Sequence, residues 1–317
     1  MDGPFGLPFA PVTAARIESI TNALSPRYFT VPKNVYVIWV EAWGPGGGGS
    51  GGGGGGAPTG GTTPGGGGGG AAGAQGQYIF VPLPVVPGET LTITVPAGGA
   101  AGTGGAGGND AIGVDGTDGT AASNTTIVGS KRTVTAHGGH SSPSVGSTTP
   151  RGKGGTGTAG GAAGATAAFL SSTVSGNTGI VAVTINVLLT QAPSAGVANA
   201  NGGGGGYGGI PQTSYGSTVI VTRVQVPASG TVGGLPILVD RFDSVGILGS
   251  ATGLQGGDGG NGNPGVAGGQ GTDTSAMVAT GGCGGGGGGG SIAGGIGADG
   301  GAGRNGGPGY VNLYYTG

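Results

Sequence analysis

Residues 35–56 read VYVIWVEAWGPGGGGSGGGGGG, an apolar stretch that passes without a linker into a run made almost wholly of glycine. Its first part, 35–43, is apolar on both faces except for Glu41, the pattern of a strand that is covered on both sides. The glycine part has no side chains to bury, so order there depends on backbone hydrogen bonds. The junction predicts a β-sheet joined directly to an ordered glycine segment.

Glycine dominates the whole chain, with 90 of 317 residues, where about 7% is ordinary. Disordered chains combine low hydrophobicity with high net charge, whereas this chain has a formal net charge of −2 and only 7% charged residues. Ordering a glycine in place of an alanine costs about 0.5–1 kcal/mol more backbone entropy, so the glycine segments must hydrogen-bond densely to each other. Composition therefore favours an ordered glycine-rich structure over a flexible linker.

Three stretches carry glycine at every third residue. These glycines are Gly253, Gly256, Gly259, Gly262, Gly265, Gly268 and Gly271; Gly294, Gly297, Gly300, Gly303, Gly306 and Gly309; and Gly99, Gly102, Gly105 and Gly108. Three residues per turn is the geometry of a polyproline-II helix, which has no internal hydrogen bonds and must find neighbours. Nearly continuous glycine, as in 46–56 and 284–290, allows neighbours on all sides. The pattern predicts bundles of glycine-rich polyglycine-II helices.

Collagen is the competing structure for a Gly-x-x pattern. It needs long uninterrupted runs rich in proline. The longest run here holds one proline, Pro264, which argues against a collagen triple helix.

Strand-like segments bracket the glycine blocks along the chain. They are 28–31, 35–43, 77–83, 89–95, 124–128, 132–136, 180–190, 217–226, 235–240 and 310–315. The first two, joined by a turn at 32–34, are interpreted as a hairpin-like pair. The fold class predicted is mainly β, with antiparallel β-sandwich-like strands combined with bundles of polyglycine-II helices and a short N-terminal helix.

The short helix is predicted for residues 12–24. Its apolar positions on one helical stripe are Thr13, Ile17, Ile20 and Leu24. The chain is accordingly divided into an N-terminal arm with this helix, 1–27, and a β plus polyglycine-II body, 28–317. Ile17, Ile20 and Leu24 are the candidate residues for docking or oligomerisation, because so short a helix needs a partner.

Metal and cofactor sites find little support. His137 and His140 are two imidazoles that zinc could use, but their spacing on non-helical backbone fixes no ligand geometry. Asp110, Asp115 and Asp118 lack the nine-residue repeat of calcium-binding glycine-aspartate turns, and turn formation explains them equally well. We expect no metal and no cofactor.

Catalytic, nucleic-acid and membrane functions are likewise not indicated. Lys153, the lysine in glycine-rich sequence, is followed by glycine, whereas a phosphate loop requires serine or threonine there. No nucleophile elbow or marked carboxylate pair is present, so the chain is predicted not to be an enzyme. It has no basic cluster for nucleic acid and no apolar run of about 18–20 residues for membrane insertion.

Three aromatic residues at the edges of glycine blocks are candidate binding residues: Tyr207, Tyr215 and Phe169. An aromatic side chain in a glycine loop can stack on a sugar or anchor in a protein pocket. It could equally cap the edge of a glycine bundle. Both interpretations stay open at this point.

The order of the motifs resembles a known family. FTVPKNVYVIWVEAWGPGGGG (29–49), GQYIFVPLPVVPGETLTITVPAGGAAGTGG (76–105) and GGPGYVNLYY (306–315) are similar to segments of the glycine-rich tail-fibre and receptor-binding proteins of tailed bacteriophages. The resemblance covers roughly 28–164 and 281–317. It implies polyglycine-II bundles, as in the distal tail-fibre adhesins of T-even-like phages. Residues 165–250 and the arm lie outside the family pattern.

The resemblance leads to a ranked set of functional hypotheses. The first is a virion protein of a tail fibre or tail tip, docked through its N-terminal arm on other virion proteins. It would form a homo-oligomer, expected to be a trimer, and bind a host surface glycan or an outer-membrane protein, with Tyr207, Tyr215 and Phe169 as candidate contacts. A capsid fibre or decoration protein is the alternative. An ice-binding or extracellular-matrix protein is the third hypothesis.

Overall fold

The computed structural model describes residues 16–22, 25–57, 64–74, 76–109, 112–140, 184–188, 194–197, 214–220, 260, 266–270, 273, 281, 285–291 and 296–315. Within these ranges there are ten strands and no α-helix, so the prediction of a mainly β protein is confirmed. The strands are β1 (Arg16–Thr21), β2 (Arg27–Thr30), β3 (Val37–Trp43), β4 (Tyr78–Pro84), β5 (Thr90–Thr94), β6 (Thr125–Val128), β7 (Thr133–Ala136), β8 (Thr184–Leu188), β9 (Ser214–Ile220) and β10 (Tyr310–Tyr315).

Two four-stranded antiparallel sheets form the main β-structure. Sheet A has the order β1-β10-β3-β4, and sheet B has the order β2-β5-β6-β7. In sheet A, Leu313 of β10 lies opposite Val40 of β3. In sheet B, Ile93 of β5 lies opposite Ile127 of β6. Strands β8 and β9 make a separate two-stranded antiparallel sheet.

One hydrophobic core receives side chains from both main sheets. Ile38, Val40 and Ala42 alternate along β3 and are fully buried, and Leu91 and Ile93 do the same along β5. Period-two alternation places such residues on one face of a strand. The cluster that they form also includes Ile20, Phe29, Val31, Val35, Ile79, Leu83, Val85, Val95, Ile127, Ala136, Val311 and Leu313. The two sheets therefore pack through their inner faces.

The N-terminal helix is a wrong prediction where the structure describes the segment. Arg16–Thr21 is strand β1, and all six of its residues pair with β10. Ile20 is fully buried in the core, and Ile17 lies opposite Tyr314. A short apolar pattern does not separate helix from strand, and pairing with the free edge of β10 decides between them. Leu24 lies outside the described residues, and the division at residue 27 stays a prediction.

The hairpin predicted between 28–31 and 35–43 is also wrong, although both strands exist. Strand β2 pairs with β5 in sheet B, whereas β3 pairs with β10 and β4 in sheet A. The chain between β2 and β3 therefore crosses from one sheet to the other. The physical reason is that Phe29 is buried in the shared core from the sheet B side, with its ring 5.4 Å from that of Tyr315 in sheet A.

The glycine-rich residues continue from one end of the sheets. A central segment, residues 44–57, follows Trp43 at the end of β3. Every backbone N–H from Gly46 to Gly56 donates a hydrogen bond to a carbonyl outside the central segment. The neighbouring segments that receive or return these hydrogen bonds are 65–74, 99–108, 114–120, 285–291 and 298–307. The dense inter-segment hydrogen bonding that composition predicted is therefore present here.

The hydrogen bonds of the central segment repeat at every third residue. Gly46, Gly49, Gly52 and Gly55 donate to the carbonyls of Gly307, Arg304, Gly301 and Ala298 at 2.8–3.0 Å. Gly47, Ser50, Gly53 and Gly56 donate to Ala74, Ala71, Gly68 and Gly65 at 2.8–2.9 Å. Gly48, Gly51 and Gly54 donate to Thr120, Thr117 and Val114 at 2.8–3.0 Å. Each of these three neighbouring segments therefore accepts hydrogen bonds from every third residue of the central segment.

The described period-three glycines of 99–108 and 297–309 lie where segments touch. A Cβ on Gly300 or Gly303 would stand 2.2 Å from the carbonyl oxygen of Gly52 or Gly49 of the central segment. N–H groups of the glycines in 297–306 also donate to the period-three glycines of 99–108, as Gly303 does to the Gly102 carbonyl at 2.9 Å. Glycine is required at these positions because a side chain would collide with backbone.

The opposite end of the sheets, here called the base, is built from three adjoining turns: 32–35, 86–89 and 129–132. The backbone N–H groups of Val31 and Gly88 join the first two through 2.8 and 2.9 Å bonds to the carbonyls of Glu89 and Val31. The Glu89 carboxylate accepts hydrogen bonds from the Val86 N–H and from both the hydroxyl and the N–H of Ser130. A single carboxylate therefore connects two of the turns.

We predict that the base is sensitive to acid through Glu89. Partial burial raises the pKa of its carboxyl, but hydrogen bonds from Ser130 and Val86, with Lys131 nearby, lower it by more, so the pKa lies below its ordinary value of 4.5. A depressed pKa contributes stability above the unfolded value, and this contribution is lost as the pH falls through the folded value. Glu89→Gln should cost about 1 kcal/mol at neutral pH.

The measurement is urea unfolding of the wild type and Glu89→Gln at neutral pH and well below pH 4.5. The difference between the two proteins should shrink at the acidic pH. A difference that stays constant across this range would show that the carboxylate does not act through its charge.

Candidate binding surface at the distal end of the glycine segments

The central segment defines a distal end, the level of Gly54–Gly56, at its far side from the sheets. Neighbouring segments are held at this level by backbone hydrogen bonds. Gly54 and Gly55 donate to the carbonyls of Val114 and Ala298, both at 2.8 Å. The Gly55 carbonyl in turn accepts from Gly108 at 2.8 Å. Side chains at this level therefore project from backbone that is fixed on several sides.

Among the glycine-rich residues that the structure describes, five large aliphatic side chains are exposed, and all five lie at the distal level. They are Ile112, Val114, Val197, Val266 and Ile296, with exposed fractions between 46% and 64%. The other exposed large hydrophobic residues that the structure describes lie on the sheets and the base. Isolated exposed hydrophobics are ordinary, whereas apolar side chains gathered in a patch are typical of interaction surfaces, so this end is the candidate site.

The level of each side chain follows from its backbone contacts. A Cβ on Gly113, between Ile112 and Val114, would stand 2.1 Å from the Gly54 carbonyl oxygen. Ile296 forms an antiparallel bridge with Asn109, next to Gly108. The carbonyls of Val266 and Val197 accept hydrogen bonds from Gly289 and Gly66 at 3.0 and 3.1 Å. Gly65, the residue before Gly66, accepts from Gly56, so Val197 lies at the distal level. A Cβ on Gly55 would lie 2.1 Å from the Gly289 oxygen, which places Val266 at the same level.

The flank between the sheets and the distal end differs in character. Its exposed positions in 99–108 and 114–120 below the distal level are small or polar, and several of them bond to the backbone of the next segment. The hydroxyls of Thr120 and Thr117 accept from the N–H groups of Ala100 and Thr103 at 2.7 and 2.6 Å. These side chains complete the hydrogen bonding of the outer amides and leave little apolar surface on the flank.

Carboxylates lie beside the aliphatic residues of the distal end. Asp299 is exposed, three residues after Ile296, and its carboxylate accepts a 2.8 Å hydrogen bond from the Gly107 N–H. Asp115 directly follows Val114. The surface therefore combines branched aliphatic side chains with acidic ones on a backbone fixed by hydrogen bonds, and it is the candidate binding surface.

A buried polar cluster lies on the face of sheet A that points away from the core. The Asn312 side chain donates to the Glu41 carboxylate at 3.0 Å and accepts from the Ser19 hydroxyl at 2.7 Å. The Tyr314 hydroxyl also donates to Glu41. Glu41 and Asn312 are 7% and 9% exposed. Its hydrogen bonds connect β1, β10 and β3, which are neighbours in sheet A, so the cluster stabilises the sheet.

Of the three sequence-predicted binding residues, the structure describes one. Tyr207 and Phe169 lie outside the described residues. Tyr215 belongs to β9, where it lies opposite Val187 of β8. Whether any of the three contacts a receptor stays a prediction.

The distal aliphatic residues were not predicted from the sequence, because no single residue type distinguishes them as binding residues. A signal was nevertheless present in the sequence: the glycine period breaks between Gly108 and Gly113, and the break, NDAIG, contains Ile112. Segments 99–108 and 114–120 run in opposite directions along the central segment, so this break is a chain reversal. Exposed residues at such reversals carry the binding functions of many folds.

The two histidines use their backbone atoms rather than forming a visible ligand set. The N–H of His137 donates to the Gln77 side-chain oxygen at 3.1 Å, and the His140 carbonyl accepts from Ala74 at 2.7 Å. In the part of the chain that the structure describes, no group of three or more His, Cys, Asp or Glu residues is placed to hold a metal ion. Nor does any helix there have the length and apolarity needed to cross a membrane.

Comparison of the chain with models of protein families and with curated proteins yields no match.

Proposed function

We propose that this chain is a structural protein of a bacteriophage virion, a tail-fibre or tail-tip component that presents a receptor-binding surface at the distal end of its glycine segments. The observation that carries the proposal is the confinement of Ile112, Val114, Val197, Val266 and Ile296 to that end. A branched aliphatic side chain gains about 1.5–3 kcal/mol when it is fully removed from water, so a partner that covers this end gains affinity.

We further propose that the glycine-rich segments form a polyglycine-II bundle around the central segment. Its support is the three-residue repeat with which Gly46–Gly56 donate to their neighbours, since three residues per turn without internal hydrogen bonds characterises this helix. Such a bundle holds its end rigidly, and a preorganised surface loses less entropy on binding. The expected homotrimer and the candidate contacts Tyr207, Tyr215 and Phe169 belong to the same hypothesis.

The test is binding of the purified full-length protein to cells of the host that the phage infects. The distal variant Ile112→Ser/Val114→Ser/Ile296→Ser should bind at least about tenfold more weakly, corresponding to about 1.4 kcal/mol. The three side chains are exposed, so their replacement leaves the core untouched. The matched control is Val86→Ser/Val128→Ser, which makes the same kind of change at exposed positions on the sheets and the base.

Two results would argue against the proposal. Equal binding by the distal variant and the control would remove the distal end as the contact surface. Absence of binding by the wild type, together with normal adsorption of particles that lack the protein, would favour a capsid fibre or decoration protein instead.

A further inference from the structure

The base carries an excess of positive charge on exposed side chains. Lys33, Lys131 and Arg132 are all exposed in the turns 32–35 and 129–132. Glu89 is the one acidic residue in the three turns of the base, so these turns have a net charge of +2. The Glu89 carboxylate is already engaged by Val86 and Ser130. The positive charge of the base therefore lies mostly on its solvent-exposed surface.

The charge of the glycine segments has the opposite sign. Their described residues include four aspartates and a single cation: Asp115, Asp118, Asp273, Asp299 and Arg304. Among the described residues, the base is therefore positive and the glycine segments are net negative. A charge distribution of this kind orients a protein during its encounter with a charged partner and speeds association.

Exposed apolar side chains accompany the cations of the base. Tyr36 is 54% exposed directly after the turn 32–35, and Val86, in the adjoining turn, is 39% exposed. The Tyr36 carbonyl accepts from the N–H of Val85, the residue before Val86, at 2.9 Å, which holds the two chain segments together. Aromatic residues and arginine are enriched in protein interfaces. The base thus offers apolar contact area beside its positive charge.

The chain also enters and leaves the described fold at the base. Arg16 at the start of β1 lies opposite Tyr315 at the end of β10. Strand β10 begins beside the glycine segments, after Gly309, and runs away from them, so both residues lie at the base end of sheet A. The fifteen residues before Arg16 therefore join the fold at the base, at the far side of the sheets from the distal end.

From these observations we infer that the base is the docking surface of this protein, and that its partner is an acidic protein surface of the particle. Lys33, Lys131 and Arg132 supply the charge complementarity, and Tyr36 and Val86 supply apolar contact. This inference deepens the proposed function and rests on it. It also explains the polarity of the molecule, because a protein that docks by its base presents its distal end outward.

The test uses particles assembled with variants of the full chain. The base variant Lys33→Gln/Lys131→Gln/Arg132→Gln lowers the net charge by three units. Its matched control, Ala100→Glu/Ala106→Glu/Ala121→Glu, lowers the charge equally at exposed flank positions. Because Lys131 also lies near Glu89, the double variant Lys33→Gln/Arg132→Gln provides a second base variant without that change. Thermal unfolding of each purified variant checks that it folds.

The readout is the number of copies retained per particle after washes of increasing salt concentration. Wild-type and control copies should be released only at high salt, since screening weakens charge pairing. The base variant should retain at least about tenfold fewer copies at moderate salt, and the double variant should be intermediate. Equal retention of the base variant and the wild type at every salt concentration would overturn the inference while leaving the proposed function intact.

Two other outcomes are distinguishable. If the purified wild type binds DNA in a salt-dependent way that the base variant loses, the base is a nucleic-acid surface and the inference is overturned. If particles contain no wild-type copies at all, the virion function itself fails, and the docking inference falls with it.

Discussion

Replacement of Gly105 by alanine should destabilise the protein by about 3 kcal/mol or more, a large effect for one methyl group. Gly105 lies between two segments of the chain: its N–H donates to the Gly52 carbonyl at 2.9 Å, and a Cβ would stand 2.0 Å from the Val114 carbonyl oxygen. Both neighbours are backbone, which cannot rotate away as a side chain can. The added methyl must therefore push the segments apart and lengthen their hydrogen bonds.

The neighbouring residue provides the control. Ala106 is exposed, so Ala106→Val adds more atoms than Gly105→Ala but directs them to solvent. We expect it to change the free energy of unfolding by less than about 0.5 kcal/mol. Thermal and urea unfolding of the two variants against the wild type measures both effects. If Gly105→Ala were as stable as Ala106→Val, the segments could not be packed as closely as described.

Strands such as β3 and β10, and the glycine contacts, could be predicted because their signals are local. Strand β3 is marked by seven residues that are apolar except for Glu41, and β10 has Val311 and Leu313 two residues apart. Glycine at every third residue is also a pattern within a short segment, and it indicates positions where a Cβ does not fit. For Gly300 and Gly303 that expectation agrees with the distances to the central segment.

Strand pairing could not be predicted because it depends on distant partners. The four residues of β2 read equally well as one arm of a hairpin with β3, and only the burial of Phe29 beside Leu91 and Tyr315 places them in the other sheet. In β1, Ile17 and Ile20 fit a helical spacing, while Ser19 finds its partner Asn312 at a separation of 293 residues. No local pattern encodes such a separation.

The candidate site escaped sequence analysis for a related reason. Aromatic residues were favoured as binding residues because each carries large contact area alone. The distal end instead gathers single aliphatic residues from separate glycine blocks, such as Val114 and Ile296. Their proximity follows from how the segments stack along Gly54–Gly56, which is a property of the assembled structure.

Asn312→Leu should be strongly destabilising, costing about 2–4 kcal/mol. Asn312 is 9% exposed and is the hydrogen-bond link between Ser19 and Glu41. Leucine has a similar volume but no polar atoms, so the buried Glu41 carboxylate loses a donor and the Ser19 hydroxyl loses an acceptor. A buried polar group left without its partner costs about 1–3 kcal/mol, and more when it is charged.

A double-mutant cycle separates this cause from simple loss of packing. Glu41→Leu, Asn312→Leu and the double variant are compared with the wild type by urea unfolding. When Asn312 is already leucine, the Glu41 carboxylate has lost one of its donors, so removing the carboxylate costs less than it does in the wild type. The double variant should therefore be more stable than the sum of the single effects predicts, by about 0.5–3 kcal/mol. Additivity within about 0.5 kcal/mol would mean that the two side chains act independently. The coupling matters beyond β10, because the same cluster fixes β1, through which the N-terminal residues join the base.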